Sequence, residues 1–398
     1  MEIPENGFTD NNYVELLRNG AEYFPALENE ITHAQHEIYL HTYIFEADTQ
    51  GSRIAELLKQ AAQRGVKTRV LVDGFGSQHL PKSLIASFEA AGVEFMFFRP
   101  HISPWTLQKS RLRRLHHKIA VIDQHIAFVG GINIIDDFNV PHRTPPRVDY
   151  AVNVTGEMVF EIHRYVQRLW RHVAWRHLKF TDLILDPLST PSASANMTAA
   201  FVIRDNVLHR RDIEKAYLTA INAAKSEIII ANAYFIPGRH FRRALIEAAN
   251  RGVKVTLLLQ GRMEYFLMLA THAFYSEFLQ NDINIYEYHK SFMHSKAAVI
   301  DEEWSTVGSS NIDPFSLLLA REANVIVKNQ PFALDLKHSV LKDIQDGAKQ
   351  IDTHTWKHSH ILKRMVSWLA YGLVRSMISV IENKSSQSKS ATKRRAKS

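Results

Sequence analysis

Two short segments of this 398-residue chain carry the same reactive side chains in the same order. HHKIAVID presents His116, Lys118 and Asp123, and MHSKAAVID presents His294, Lys296 and Asp301. Each is followed at the same distance by a Gly-small-x-Asn run: Gly130, Gly131 and Asn133 in the first copy, Gly308, Ser309 and Asn311 in the second. A histidine offers a nucleophile or proton shuttle near neutral pH, a lysine a fixed positive charge, and an asparagine an amide donor. Together they suit attack on a phosphodiester and stabilisation of its oxygens. A single His-x-Lys on a strand edge would carry little information; a duplicated multi-residue set carries much.

Strand parity separates the roles within each set. The apolar stretch 119–122 reads as a buried strand, so His116 and Lys118 share one face and Asp123 takes the other. The same holds for His294 and Lys296 against Asp301. Both aspartates are candidate catalytic residues by their place in the repeated set, but their parity predicts that they hold turns, Asp123-Gln124 and Asp301-Glu302, through nearby backbone amides.

The repeat extends beyond the motif. Ala34-x-x-Glu37-Ile38 leads an apolar strand ending near Tyr43, and Ala224-x-x-Glu227-Ile228 leads one ending near Tyr234. Helical periodicity follows over 54–64 and 241–251, each closed by Arg-Gly-Val-Lys (Arg64 to Lys67, Arg251 to Lys254), with the glycine as the expected stop. Strands alternating with helices predict an α/β fold repeated once. The expected organisation is one half over 1–185, a Pro- and Ser-rich linker over 186–200, a second half over 201–350, and an amphipathic helix with a basic tail over 351–398.

Composition fits a sizeable body working on anions. With 45% hydrophobic residues and no cysteine, the chain can bury substantial cores without disulfides, and thiol redox chemistry is excluded. A formal charge of +7 favours phospholipid headgroups or nucleic acid without choosing between them. The start, MEIPENGFTDNNY, lacks the basic and apolar regions of a secretory signal, and no apolar run reaches the ~18 residues of a membrane span. A peripheral or cytosolic protein is expected.

The duplicated pattern His-x-Lys-x4-Asp-x6-Gly-[Gly/Ser]-x-Asn resembles that of the phospholipase D superfamily. The stretches NNYVELLRNGAEYFPAL, EIYLHTYIFEADTQG, DYAVNVTG, EIIIANAYFIP and SSNIDPFSLLLAREANVIV narrow the similarity to bacterial cardiolipin synthases of the shorter B type, without an N-terminal membrane hairpin. The resemblance implies an α/β fold of two related α/β/α halves packed face to face around one shared active site. In-line displacement at phosphorus needs groups on both sides, and two half-sites supply them. The family mechanism, carried to matching positions, makes His116 the nucleophile of a phosphohistidine intermediate and His294 the acid and base. Lys118, Lys296, Asn133, Ser309 and Asn311 would serve the substrate's phosphate. Asp149, in RVDYAV, and Glu322, in REANVIV, stand where the family places the acids that orient each histidine, and pairing across the halves is the preferred arrangement. No metal and no cofactor is expected, because the lysines neutralise the phosphate.

The implied activity is transfer of a phosphatidyl group between two phosphatidylglycerols, with hydrolysis of lipid or nucleic-acid diesters and non-catalytic membrane binding as alternatives. Arg111, Arg113 and Arg114, beside Trp105 and Leu107, would suit an anionic headgroup. The apolar stretch after Gly261 reads as either a core helix or a lipid-facing lip. Residues 361–381 read as an amphipathic helix with Lys363, Arg364 and Arg375 among apolar residues, ahead of a basic tail. That pairing holds a protein on an anionic membrane, here the inner face of a bacterial cell membrane, and packing on the core is its alternative. No nucleic-acid partner is expected, since nothing resembles a base-reading module.

Overall fold

The computed structural model describes residues 7–100, 113–140, 144–176, 196–205, 208–262, 266–313, 319–352 and 356, and residues 365–376 apart from 368 and 374. The first half supplies β1 (Thr9–Arg18), β2 (Glu37–Thr42), β3 (Lys67–Asp73), β4 (Glu94–Phe98), β5 (Arg114–Leu115), β6 (Lys118–Ile122), β7 (Ile126–Gly130) and β8 (Tyr150–Gly156). The second supplies β9 (Met197–Arg204), β10 (Glu227–Asn232), β11 (Lys254–Gln260), β12 (Asn284–Tyr288), β13 (Lys296–Ile300), β14 (Trp304–Gly308), β15 (Ala320–Lys328) and β16 (Ala348–Gln350). β2, β3 and β4 pair in parallel, and β6, β7 and β8 continue the sheet antiparallel. β10 to β12 and β13 to β15 repeat the pattern, down to the register that sets Tyr39 opposite Val121 and Ile229 opposite Val299. The half-sheets join where β9 lies between β15 and β1.

Burial divides the molecule into layers. Val121, Val129 and Val152 of the first sheet share a central core with Val299, Val307 and Val325 of the second, together with the helices Met158–Arg176 and Gln330–Gly347. The opposite sheet faces carry separate cores under the helices Asn19–His33 and Thr49–Gln63 in one half and Asp212–Ala223 and Arg239–Asn250 in the other. The two halves therefore pack sheet against sheet, as expected of a duplicated α/β unit.

The repeated Arg-Gly-Val-Lys is a helix terminator with three working parts. Gly65 and Gly252 adopt φ of 94° and 90°, which a side chain would strain. The next N–H reaches back to close the last turn, Val66 to the Ala61 carbonyl at 3.1 Å and Val253 to Ala248 at 3.1 Å. Arg64 donates to the carbonyl of Thr32 at 2.9 Å and Arg251 to that of Ile221 at 3.0 Å, tying each helix to the end of the preceding one.

Two expectations need adjustment. β9 starts at Met197, so the end of the proposed linker is sheet, because its apolar residues cover the central and outer cores; residues 177–195 lie outside the described ones. The described residues of 365–376 are helical, and the helix does pack: Ser367 and Ala370 are buried and the Tyr371 ring meets Phe274 edge-on at 4.9 Å. Its other side exposes Met365, Val366, Leu369 and Leu373. Among the described residues no helix is long and apolar enough to cross a membrane.

Asp123 and Asp301 lie at the far ends of β6 and β13 from the lysines, and their contacts support the turn-holding reading over the catalytic one. Asp123 and Gln124 both have positive φ, 51° and 53°, as do Asp301 and Glu302, 52° and 57°, the central pair of a tight turn closed by the His125 N–H on the Ile122 carbonyl at 3.0 Å and the Glu303 N–H on that of Ile300 at 3.2 Å. The carboxylate of Asp123 accepts the N–H groups of Gln35, His36 and Glu37 at 2.7, 2.7 and 2.9 Å. That of Asp301 accepts Lys225, Ser226 and Glu227 at 2.8, 2.8 and 2.9 Å. The amides belong to the connection entering β2 or β10, so each aspartate clamps the hairpin to a sequence-distant strand. Asp123→Ala should lower stability by about 1–3 kcal/mol in urea unfolding by stranding these amides, while the folded protein keeps its turnover. Lost turnover in fully folded Asp123→Ala protein would restore the catalytic assignment.

Candidate active site

The main chain crosses the two halves at the histidines. β5, the lead into His116, pairs in parallel with the start of β15, and the His116 N–H donates to the Arg321 carbonyl at 3.0 Å. Across the site Met293 bridges Val148, and the His294 N–H donates to the Val148 carbonyl at 2.7 Å. The next residue in each acceptor strand is an acid. Glu322 places Oε1 3.0 Å from Nδ1 of His116, and Asp149 places Oδ2 2.7 Å from Nδ1 of His294. Both carboxylates are buried. Each acid thus orients the histidine of the opposite half. A carboxylate accepts here, which assigns the proton to Nδ1 and leaves Nε2 as the basic nitrogen of each ring.

The lysines complete a buried charge cluster. Lys118 Nζ donates to its own motif's His116 carbonyl at 2.7 Å, and Lys296 Nζ donates to the His294 carbonyl and lies 3.7 Å from Asp149 Oδ2. Lys296 Nζ is also 2.8 Å from His294 Nδ1, a contact without a shared proton, because Nδ1 has given its hydrogen to Asp149. Burial, and then the charge of Lys296, lowers Lys118 to about 7; burial lowers Lys296 to about 8 against the pull of Asp149 and Glu322. Burial and the neighbouring lysines also push both histidines below their ordinary value, His294 well below it. Burial raises Asp149 to about 6, while Glu322 is held below its usual range despite burial by His116, Lys118 and the Ser309 hydroxyl. Neutral imidazoles beside cationic lysines are suited to an anionic phosphorus ester.

Residues 27–139 and 217–344 match the family described as "Cardiolipin synthase, PLD-like domain". The chain belongs to that family. It is 37% identical to Cardiolipin synthase B of Salmonella typhi over 357 residues, covering 87% of this chain and 84% of the relative. To Cardiolipin synthase B of Escherichia coli strain K12 it is 36% identical over 354 residues, covering 86% and 83%. The crystal structure of phosphatidylserine synthase from Haemophilus influenzae shares the fold, with a TM-score of 0.67 at 13% identity over 93% of this chain and 94% of that one.

The Gly-small-x-Asn runs of this family member now have a packing reason. A Cβ on Gly130 would fall 2.4 Å from the Ala151 backbone, and one on Gly308 2.3 Å from the Asn324 side chain, so each first glycine admits the adjacent strand. The second position touches the acid. A Cβ on Gly131 would sit 2.2 Å from Asp149 Oδ1, whereas Ser309 donates its hydroxyl to Glu322 Oε2 at 2.5 Å. Ser309, expected at the substrate, also accepts the Ala323 N–H at 3.0 Å and is committed to holding Glu322. Asn133 accepts the Ile44 N–H at 3.0 Å through Oδ1, which leaves Nδ2 as donor. Asn311 is equally buried, with no hydrogen bond to its Oδ1. Among the described residues no group of three or more His, Cys, Asp or Glu side chains is arranged to hold a metal ion.

Sequence reasoning passed over the supports around the histidines. The Tyr43 ring packs on His116 at 4.8 Å between centroids, and Tyr234 meets His294 at 6.5 Å. Asp73, ending β3, accepts the Leu115 N–H at 2.8 Å, and Gln260, ending β11, donates to the Met293 carbonyl at 3.2 Å, so each fixes the residue before a histidine. Asp73 and Gln260 close equivalent strands, and aligning the repeat from Arg64 and Arg251 would have marked them; Tyr43 and Tyr234 follow β2 and β10 at positions one residue out of step, so the same alignment would not pair them. Trp105, Leu107 and Arg111 lie outside the described residues.

The buried charges predict a narrow pH profile for kcat/KM in neutral-detergent micelles. Asp149, with its raised value, loses its charge as pH falls through about 6, and Lys118 and Lys296, with lowered values, lose theirs as pH rises through about 7 to 8. Activity should peak between these limits. An alkaline limb near 10, where an ordinary lysine titrates, would show that the lysine charges are not what the reaction needs.

Proposed function

We propose that this protein forms cardiolipin by moving a phosphatidyl group from one phosphatidylglycerol to the hydroxyl of a second, with release of glycerol. The observation that carries the reading is the crossed pair of acid-oriented imidazoles flanked by two buried lysines, in a chain of the cardiolipin synthase family. Nε2 of His116 attacks phosphorus, the P–O bond to the leaving glycerol breaks, and protonated His294 gives that oxygen its proton. The now neutral His294 takes the proton of the acceptor's hydroxyl as its oxygen attacks the phosphohistidine, breaking P–N and freeing His116. Lys118, Lys296 and the amides of Asn133 and Asn311 hold the non-bridging oxygens, and the bound anion offsets the lysine charges that keep His294 neutral in the empty site.

The reverse order of the two histidines has one observation in its favour: His294 is pushed further down than His116, which makes it the more readily neutral ring. His116→Ala and His294→Ala should each reduce turnover by roughly a thousandfold or more without unfolding the protein. Denaturing the enzyme during turnover of phosphorus-labelled phosphatidylglycerol should trap an acid-labile, base-stable adduct, and the variant that no longer traps it identifies the nucleophile. Near-normal turnover in either variant would sink the two-histidine mechanism. Phosphatidic acid as the sole product from phosphatidylglycerol vesicles would establish hydrolysis instead of transfer.

The exposed stripe Met365, Val366, Leu369 and Leu373, beside Arg375, supports a peripheral seat on the inner, anionic face of a bacterial membrane. Because the buried face of this helix is part of the fold, the informative variant touches only the exposed one. Leu369→Gln/Leu373→Gln should weaken sedimentation with phosphatidylglycerol vesicles at least tenfold at unchanged thermal stability, since tenfold corresponds to about 1.4 kcal/mol and a single fully buried leucine contributes about 1.5–3 kcal/mol. Undiminished sedimentation would discard this helix as the membrane contact.

A further inference from the structure

The internal repeat allows each side of the site to be compared with its mate, and the two have diverged in charge. Arg113, Arg114 and Leu115 precede His116, whereas Ser291, Phe292 and Met293 precede His294. The residue whose carbonyl receives the histidine N–H is Arg321 on the first side and Val148 on the second. Arg99, directly after β4, and Arg176, ending the helix Met158–Arg176, join the first side.

These cations are close enough to disturb one another. Burial, and then repulsion from Arg113, Arg176, Arg114 and Arg321, lowers Arg99 to about 10; burial and repulsion from Arg321, Arg210 and Arg176 lower Arg113 against the attraction of Asp205. Arg114 lies 3.7 Å from Asp73, but Arg99, Arg113, Arg176, Arg210 and Arg321 form no ion pair with an acid among the described residues. Nε of Arg113 is buried without a hydrogen-bond partner. Arg99 holds a φ of 53°, a backbone state that side chains disfavour. Gathering like charges, partly desolvating Arg99 and Arg113 and straining the chain at Arg99 all oppose folding, so the arrangement fits a site kept for an anion.

Exposed aromatic groups accompany the charges. Phe75, 46% exposed, lies under the Arg114 guanidinium at 5.9 Å, and Trp175, next to Arg176, is 68% exposed. Cations beside exposed aromatic rings suit an amphiphile at a membrane surface better than free phosphate.

We propose that this arginine cluster is a second phosphate subsite, which holds the phosphodiester of the acceptor lipid while the donor's phosphodiester lies between His116 and His294. The assignment rests on the lipid-transfer reading above and deepens it. An acceptor phosphatidylglycerol carries its free hydroxyl at the end of a three-carbon headgroup from its own phosphate, so a cation cluster beside His116 would aim that hydroxyl at the reacting phosphorus. Water and glycerol have no phosphate to be held, so the subsite would favour lipid transfer over hydrolysis and over headgroup exchange.

The test compares two reactions of the full chain in neutral-detergent micelles containing phosphatidylglycerol: cardiolipin formation, and exchange of labelled glycerol into phosphatidylglycerol, which needs no second phosphate. In Arg99→Gln/Arg176→Gln the ratio of transfer to exchange should fall at least tenfold, through a raised KM for the lipid acceptor. An unchanged ratio overturns the proposal, whether both rates fall together or neither does. A binding arm separates this result from failure of the transfer reading. His294→Ala protein, slowed by the loss predicted above so that substrate persists, should bind soluble short-chain phosphatidylglycerol at two sites, and at one site after Arg99→Gln/Arg176→Gln. The same number of sites with and without the arginines, or displacement by equimolar inorganic phosphate, would refute a lipid subsite even if the wild-type chain made no cardiolipin.

Discussion

Each site histidine is fastened to the opposite half twice, through its main-chain N–H and through Nδ1, and the rest of the structure follows from that crossing. A short parallel pairing, β5 with β15 and Met293 with Val148, aligns each histidine with the residue before an acid. The side-chain contact is then set by register, because the carboxylate is the next residue along. Neither half holds a complete His–acid unit, so the sheets must pack face to face for an oriented imidazole to exist at all. The central valine core, shared by both sheets, is the apolar driving force that brings them there.

The same packing fixes the electrostatics. Two lysines and two carboxylates are removed from water within one cleft, where their charges interact strongly and are costly to desolvate. Lys118 and Lys296 are drawn down toward neutral pH because burial outweighs the acids, and both imidazoles are kept neutral by burial beside the cations. A bound phosphodiester would supply negative charge to such a site. The site is organised before substrate arrives, with each lysine pinned to a backbone carbonyl and Glu322 held by the Ser309 hydroxyl.

Duplication also left the two sides free to differ. Gly131 makes room for Asp149 where Ser309 bonds Glu322; Glu322 is held down against burial mainly by His116 and Lys118, with the Ser309 hydroxyl adding to them, whereas burial prevails at Asp149. The larger divergence is the arginine cluster on the His116 side, opposite Ser291, Phe292 and Val148. Pseudosymmetric chemistry at the centre is thus flanked by unlike surroundings.

The sequence alone determined the reactive residues, the repeat and the α/β alternation, because His116, Lys118, Asn133 and their mates sit at fixed local spacings that strand parity can interpret. It also placed Asp123 and Asp301 on the opposite face from the lysines, though the amides they hold proved to come from residues 35–37 and 225–227, far along the chain. The destination of the Ser309 hydroxyl, the aromatic packing of Tyr43 and Tyr234 on the histidines, and the gathering of Arg99, Arg113, Arg176 and Arg321 were decided only by tertiary structure. So was the partner of each acid: Asp149 and Glu322 each follow the motif of their own half along the chain, yet each meets the histidine of the other half. Periodicity reports which way a side chain points from its own strand, whereas these contacts depend on how separate strands are brought together, and that was settled by the packing of one half against the other.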